Sequence, residues 1–222
     1  MTSFITSTYP LFAWIGSLAV LLGILVSAFV YRGKTGEKYS IFNHFISELG
    51  ERGVSKLAVF FNVGMMIGGL AFVPVMIGLG LVLCSWWGIL GMLCGVVAAV
   101  ACFFVGVFPM DNMKPHGIAA MTYFRMGLVT ILLFTVAIFV QPAASRQIPL
   151  AMNIAGILSI AAYAAFLVVI GIKTQKNKAK QQAEALDTSE TPDRPRFWIL
   201  ALLEWLVFFT TMLWFIGVAV FG

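Results

Sequence analysis

A chain of 222 residues that is 61% hydrophobic and only 10% charged, with a mean hydropathy of +0.99, lies far outside globular composition. Its 14 Lys and Arg and 9 Asp and Glu are too few to clothe a soluble core of this size, which excludes a soluble enzyme, a nucleic-acid binder and a secreted disulfide scaffold. The net charge of +5 comes from residues clustered beside apolar runs, so it reports orientation in a bilayer rather than a basic binding face.

A hydrocarbon core of about 30 Å takes about 20 apolar residues per helix. Six stretches reach that length: 11–31, 57–84, 86–109, 118–140, 149–172 and 197–221. The predicted fold class is all-α, a polytopic membrane protein with the six helices in one bundle, 1–222. The short second and fourth connections impose antiparallel neighbours.

The first span lacks the basic leader and cleavage site of a signal peptide and is read as a permanent span. Pro74 is expected to kink the second span and free the carbonyl near Leu70. On the third span, Gly88, Gly91, Gly95, Ala98, Cys102 and Gly106 recur every three or four residues, a stripe on which another helix can pack closely. Three cysteines, odd in number and in or beside spans, fit neither a disulfide framework nor a zinc cluster.

Lys and Arg resist translocation, so their distribution orients the bundle. Arg32, Lys34, Lys38, Arg52 and Lys56 fall in the first connection, Lys114 in the third and six more between Lys173 and Arg196 in the fifth; the opposite side holds only Arg146. This predicts a cell-membrane protein with both termini outside and connections one, three and five in the cytoplasm. Trp14, Trp86 and Trp87 at outer ends and Tyr31 and Trp198 at inner ends fit interfacial belts. Residues 173–196, a basic stub followed by a polar stretch with two prolines, are expected to form a mobile polar loop.

Polar groups are costly in hydrocarbon, so those within spans are the first place to look for function. Counted at about 1.5 Å per residue from the inner ends, Asn62 lies about 8 Å deep and Arg125 and Glu204 about 10 Å. An Arg125–Glu204 ion pair with Asn62 nearby would reduce the cost of all three. It either locks two helices or forms a polar pocket at the cytoplasmic mouth.

Residues 39–50, YSIFNHFISELG, place Ile41, Phe42, Phe45, Ile46 and Leu49 at helical spacing, which predicts an amphipathic helix in the membrane interface. His44, Ser47, Glu48 and Glu51 would share its polar face. The third connection adds Asp111 and His116 on the same side. Together they could form a nitrogen and oxygen metal site, but no HExxH or paired HxxxH is present, and neither a metal nor another cofactor is predicted. A bis-histidine haem on His44 and His116 has the right count, with neither histidine inside a predicted span. The more general reading is a headgroup site in which Arg125, Lys114, Arg52 and His116 donate to phosphate.

The ISELG of Ile46–Gly50, the GxFPxD of Gly106–Asp111 and the HGxAA of His116–Ala120 resemble a prokaryotic six-span membrane family, domain-of-unknown-function family 998. More remotely the chain is similar to the Frag1/DRAM/Sfk1 family, whose first loop carries Asp where Glu48 stands here. The resemblance implicates Ser47, Glu48, Gly50, Asp111 and His116 in a role at membrane lipids and supplies no reaction.

The expected function is a polar site at the mouth of the bundle, built from His44, Ser47, Glu48, Asn62, Asp111, His116, Arg125 and Glu204, that binds a lipid headgroup or small amphiphile. The alternatives are a membrane-embedded lipid hydrolase and a small-solute transporter, so an enzyme is neither predicted nor excluded. Membrane lipids are the expected partners, without nucleic acid and with a homo-oligomer left open.

Overall fold

A computed structural model describes residues 2–183 and 195–222. Six α-helices carry the chain: α1 Thr2–Val30, α2 Ala58–Leu83, α3 Trp86–Val107, α4 Met113–Phe139, α5 Met152–Ala183 and α6 Ile199–Phe221. Each contains a segment long and apolar enough to cross a membrane, and no strand occurs among the described residues. Side chains such as Phe29 and Trp86, 88% and 80% exposed, coat the outside of the bundle. That inverts the arrangement of a water-soluble fold, and only structures that satisfy their own backbone, as helices do, tolerate such surroundings. The chain is a multi-pass membrane protein.

Several helices outrun the apolar stretches that predict them. α1 begins well before Leu11, since the Thr6, Ser7 and Thr8 hydroxyls donate back to the Ser3 and Phe4 carbonyls and so need no water within the helix. α4 takes Lys114 and His116 into its first turns. α5 runs on past Lys173 to Ala183, so the predicted loop 173–196 begins as helix; residues 184–194 lie outside the described residues. α2 stays helical through Pro74 and stops at Cys84, whose backbone is left-handed (φ 41°). Ser85 then caps α3 by accepting from the Gly88 N–H at 3.1 Å, a common N-terminal device.

Each helix packs against its neighbours in sequence, and α6 packs against α1, so the six close into a ring. Small residues set the closest approaches: a methyl group added to Gly64 would stand 2.8 Å from the Ala19 carbonyl oxygen. The small stripe of α3 is buried throughout, as predicted for a packing face.

Inside the ring the filling is uneven. Phe72 of α2 and Phe215 of α6 stack at 3.8 Å between centroids, and Phe134 and Trp214 stand 5.9 Å apart beyond them. These rings occupy the middle of the bundle and the half nearer the α2–α3 turn. At the opposite end the long first connection dips into the ring as a 3-10 turn, Ile46–Gly50, that packs on α1, α2 and α6. It is called the plug below.

Candidate functional site

The plug replaces the interfacial amphipathic helix expected over 39–50. Only five residues are helical, and Ile46, Glu48, Leu49 and Gly50 are all buried. Of its apolar residues, Ile46 and Leu49 insert into the ring of helices, while Ile41 and Phe42 remain exposed. His44 is 1% and Glu48 4% exposed, so neither belongs to a solvated polar face.

Buried polar groups need partners, and those of the plug are specific. Glu48 Oε1 accepts from its own N-terminal Phe45 N–H at 2.8 Å. Glu204 Oε2, reaching across from α6, accepts from the Ile46 N–H at 2.7 Å. The Asn62 side-chain amide donates to the Gly50 carbonyl at 3.1 Å. A methyl group on Gly50 would run into Asn62 Oδ1 and stand 2.8 Å from the Phe61 ring, so glycine is what lets the plug lie against α2.

A second set holds the approach to the plug. The Tyr39 hydroxyl lies 2.9 Å from the Phe45 carbonyl, to which it donates, and accepts from the Trp205 indole N–H at 3.1 Å. Burial, with the Glu204 carboxylate adding to it, raises the Tyr39 pKa well above its ordinary value, so the phenol keeps its donor proton. His44 packs edge-on to Tyr31 and against Tyr39, with centroids 5.4 and 5.1 Å apart. Its Nδ1 accepts from the Ser40 N–H at 3.2 Å, which leaves the ring proton on Nε2, 3.8 Å from Glu37 Oε1. Tyr31 is thus a core residue at 1% exposure and not part of an interfacial belt.

On the rim, Arg52 and Asp111 clasp the first connection to the third. Arg52 Nη2 donates to Asp111 Oδ2 at 2.9 Å and Nε to Oδ1 at 3.3 Å, the paired geometry in which a guanidinium holds a carboxylate best. Hydrogen bonding from Arg52 lowers the Asp111 pKa.

Between the plug and the Phe72–Phe215 stack lies a cavity of about 280 Å³. Its wall is mainly aromatic and sulfur-bearing, with Phe124, Phe166 and Phe208 facing Met65, Met121 and Met212. Polar groups enter at its plug end, where Ser47, His116 and Glu204 all line it. His116 Nδ1 lies 2.8 Å from the Phe108 carbonyl. Only a donor can make that contact, so Nε2 is left as the ring's acceptor. Ser47 donates weakly to Met110 Sδ at 3.7 Å.

Residues of both α4 and α5 line the cavity. These helices touch where Gly156 meets Thr135, where Gly127 lies under Tyr163, and where the Phe124 and Phe166 rings stand 4.2 Å apart. Toward the plug end there is open space beside both helices. A methyl group at Gly117 or Gly171 would meet nothing within 4 Å, and Gly117, Met121 and Ile170 all line the cavity.

The structure therefore brings together Ser47, His116 and Glu204, with Asn62, Glu48 and His44 buried in the supports of the plug and Asp111 outside on the rim. Arg125 is elsewhere. It is exposed on the outer face of α4, and among the described residues no ion pair joins it to Glu204. The predicted pair fails because equal depth fixes height but not direction: Arg125 follows the buried Phe124 and is turned about 100° away from it. The headgroup phosphate reading loses its cations by the same geometry, since Arg52 is engaged by Asp111 and, among the described residues, no Lys or Arg lines the cavity. Among the described residues, no three His, Cys, Asp or Glu side chains converge as a metal site would require.

The chain belongs to the DUF998 family. The family model, described as a protein of unknown function, matches residues 14–221. No curated protein and no solved structure matches the chain. In this DUF998 protein the matched region holds α1 from residue 14 onward, all of α2 to α6, and every residue of the cavity and plug.

Sequence reasoning missed the cavity wall and the Tyr39–Trp205 support. The wall was written in Met65, Met110, Met113, Met121 and Met212. Methionine is common in apolar spans, and nothing in its spacing marks a cavity. Tyr39 and Trp205 are 166 positions apart, beyond the reach of any local pattern.

Proposed function

We propose that this integral membrane protein holds a single-chain amphiphile inside its helical ring, apolar chain toward the Phe72–Phe215 stack and polar end toward the plug. The observation that carries the reading is the cavity itself: about 280 Å³, apolar along its length and polar at one end. That volume lies near the lower limit for ligand pockets and suits one chain rather than a whole two-chain phospholipid. Flexible, polarisable methionines suit a chain of variable shape, and the open space beside α4 and α5 offers a path from the surrounding leaflet. The excess of basic residues in the connections at the plug end supports placing that end, and hence the polar end of the ligand, at the cytoplasmic face of the cell membrane.

The aromatic stack favours binding over transport, because a solute path would have to cross Phe72 and Phe215. Ser47 and His116 supply hydrolase-like groups, but among the described residues no hydrogen bond joins them as a nucleophile and base would be joined.

Native mass spectrometry of the protein released from neutral detergent micelles tests the reading. One amphiphile per chain is expected in the wild type and none in Ala120→Trp, which fills the cavity from α4. An empty wild-type protein would contradict it.

A further inference from the structure

The polar end of the cavity has a definite chemical bias, and we infer that it selects an amphiphile whose head is a protonated amine. This rests on the single-chain reading above and adds the identity of the head.

The groups at that end are acceptors. Glu204 spends Oε2 on the Ile46 N–H at 2.7 Å, while Oε1 makes no hydrogen bond among the described residues. His116 is tied through Nδ1 to the Phe108 carbonyl, which turns Nε2 into a second acceptor. Ser47 gives its proton to Met110 Sδ and keeps its oxygen lone pairs. The remaining phenol of the wall, Tyr123, packs beside the Tyr163 ring, centroids 6.4 Å apart. Among the described residues no Lys or Arg lines the cavity, and Arg52, which follows the plug in sequence, is held on the rim by Asp111.

Charge decides the rest. A carboxylate in an apolar cavity is expensive unless paired. The plug gives Glu204 a single backbone N–H and, among the described residues, no counter-ion, so it ionises only beside a cationic head, which satisfies it where a phosphate or carboxylate head would not. An ammonium offers three donors to a site built of acceptors. A hydroxyl offers one donor and no charge.

The test uses three probes of equal chain length, decylamine, decanol and decanoic acid, each offered to the purified protein in neutral maltoside micelles at pH 7, with binding counted by native mass spectrometry. The amine is expected to bind the wild type about tenfold more tightly than the alcohol, as a desolvated charge pair allows, and the acid least of all. In Glu204→Gln, whose amide oxygen can still accept from Ile46, the amine should fall to the level of the alcohol while alcohol binding persists, which shows that the cavity remains formed. An acid bound as well as the amine, or an amine preference that survives Glu204→Gln, would overturn the assignment. Alcohol binding without amine preference would overturn the amine head alone; binding of none of the three to the wild type would overturn the single-chain reading as well.

Discussion

The Glu204 carboxylate accepts from the Ile46 N–H at 2.7 Å, a contact between residues 158 positions apart that fastens the plug to the last helix. It joins the part of the chain that enters the ring to the part that closes it. Glu204→Leu leaves that buried N–H without a partner and should cost about 1–3 kcal/mol of stability, whereas Glu204→Gln retains an acceptor and should cost much less. Thermal unfolding in detergent separates the two, and equal losses would show that the bond contributes little.

Because Arg125 lies on the outer face of α4 and Glu204 points to the plug, the two act independently. Arg125→Gln and Glu204→Gln should be additive within about 0.5 kcal/mol in a double-mutant cycle. Coupling well above that value would mean that the two charges meet.

Gly50→Ala should be among the most damaging small changes in the chain, since the new methyl collides with Asn62 and the Phe61 ring in a site held from both sides. Overpacking of this kind costs about 1–3 kcal/mol. A melting temperature unchanged from the wild type would show that the plug can shift at no cost.

The rim clasp should depend on pH and salt. Asp111 has a lowered pKa because Arg52 donates to it, so the ionised form is favoured in the folded protein. Its contribution is complete above the ordinary carboxylate range and is lost as pH falls through the depressed pKa. Asp111→Asn should therefore be slightly less stable than the wild type near neutrality, and the difference should shrink both in acid and in high salt, as for an exposed pair. Melting curves against pH check this; a difference that grows in acid would contradict it.

Orientation has a native reporter. Cys84 is exposed at the α2–α3 turn, at the end opposite the plug, and should react with an impermeant thiol reagent in intact cells. Lys38→Cys in a Cys84→Ala background should be protected. The reverse pattern would place the basic connections outside.

The fold was legible in the sequence because a bilayer imposes length and hydropathy on every span, and six apolar runs can satisfy it in few ways. The site was legible only in part. Depth counting brings Asn62 and Glu204 to the correct height, and both do support the plug, but it carries no rotation about the helix axis and so turned Arg125 inward. The 39–50 segment misleads for a related reason: periodic apolar residues look alike whether one face rests on a membrane or, as with Ile46 and Leu49, part of the segment is buried in a ring. The expected helix puts His44 and Glu48 on its polar face as candidate site residues, whereas their partners, the Ser40 and Phe45 N–H groups, belong to local turns that hydropathy does not encode.

The central claim is that the space between the plug and the Phe72–Phe215 stack holds one apolar chain. A crystal structure grown from a lipidic mesophase measures this most directly. It should show a single elongated feature inside the ring, running from Glu204 toward Phe72 past Gly117 and Ile170. A cavity filled by inward movement of Met65, Met121 and Met212, or occupied by discrete waters alone, would contradict the claim.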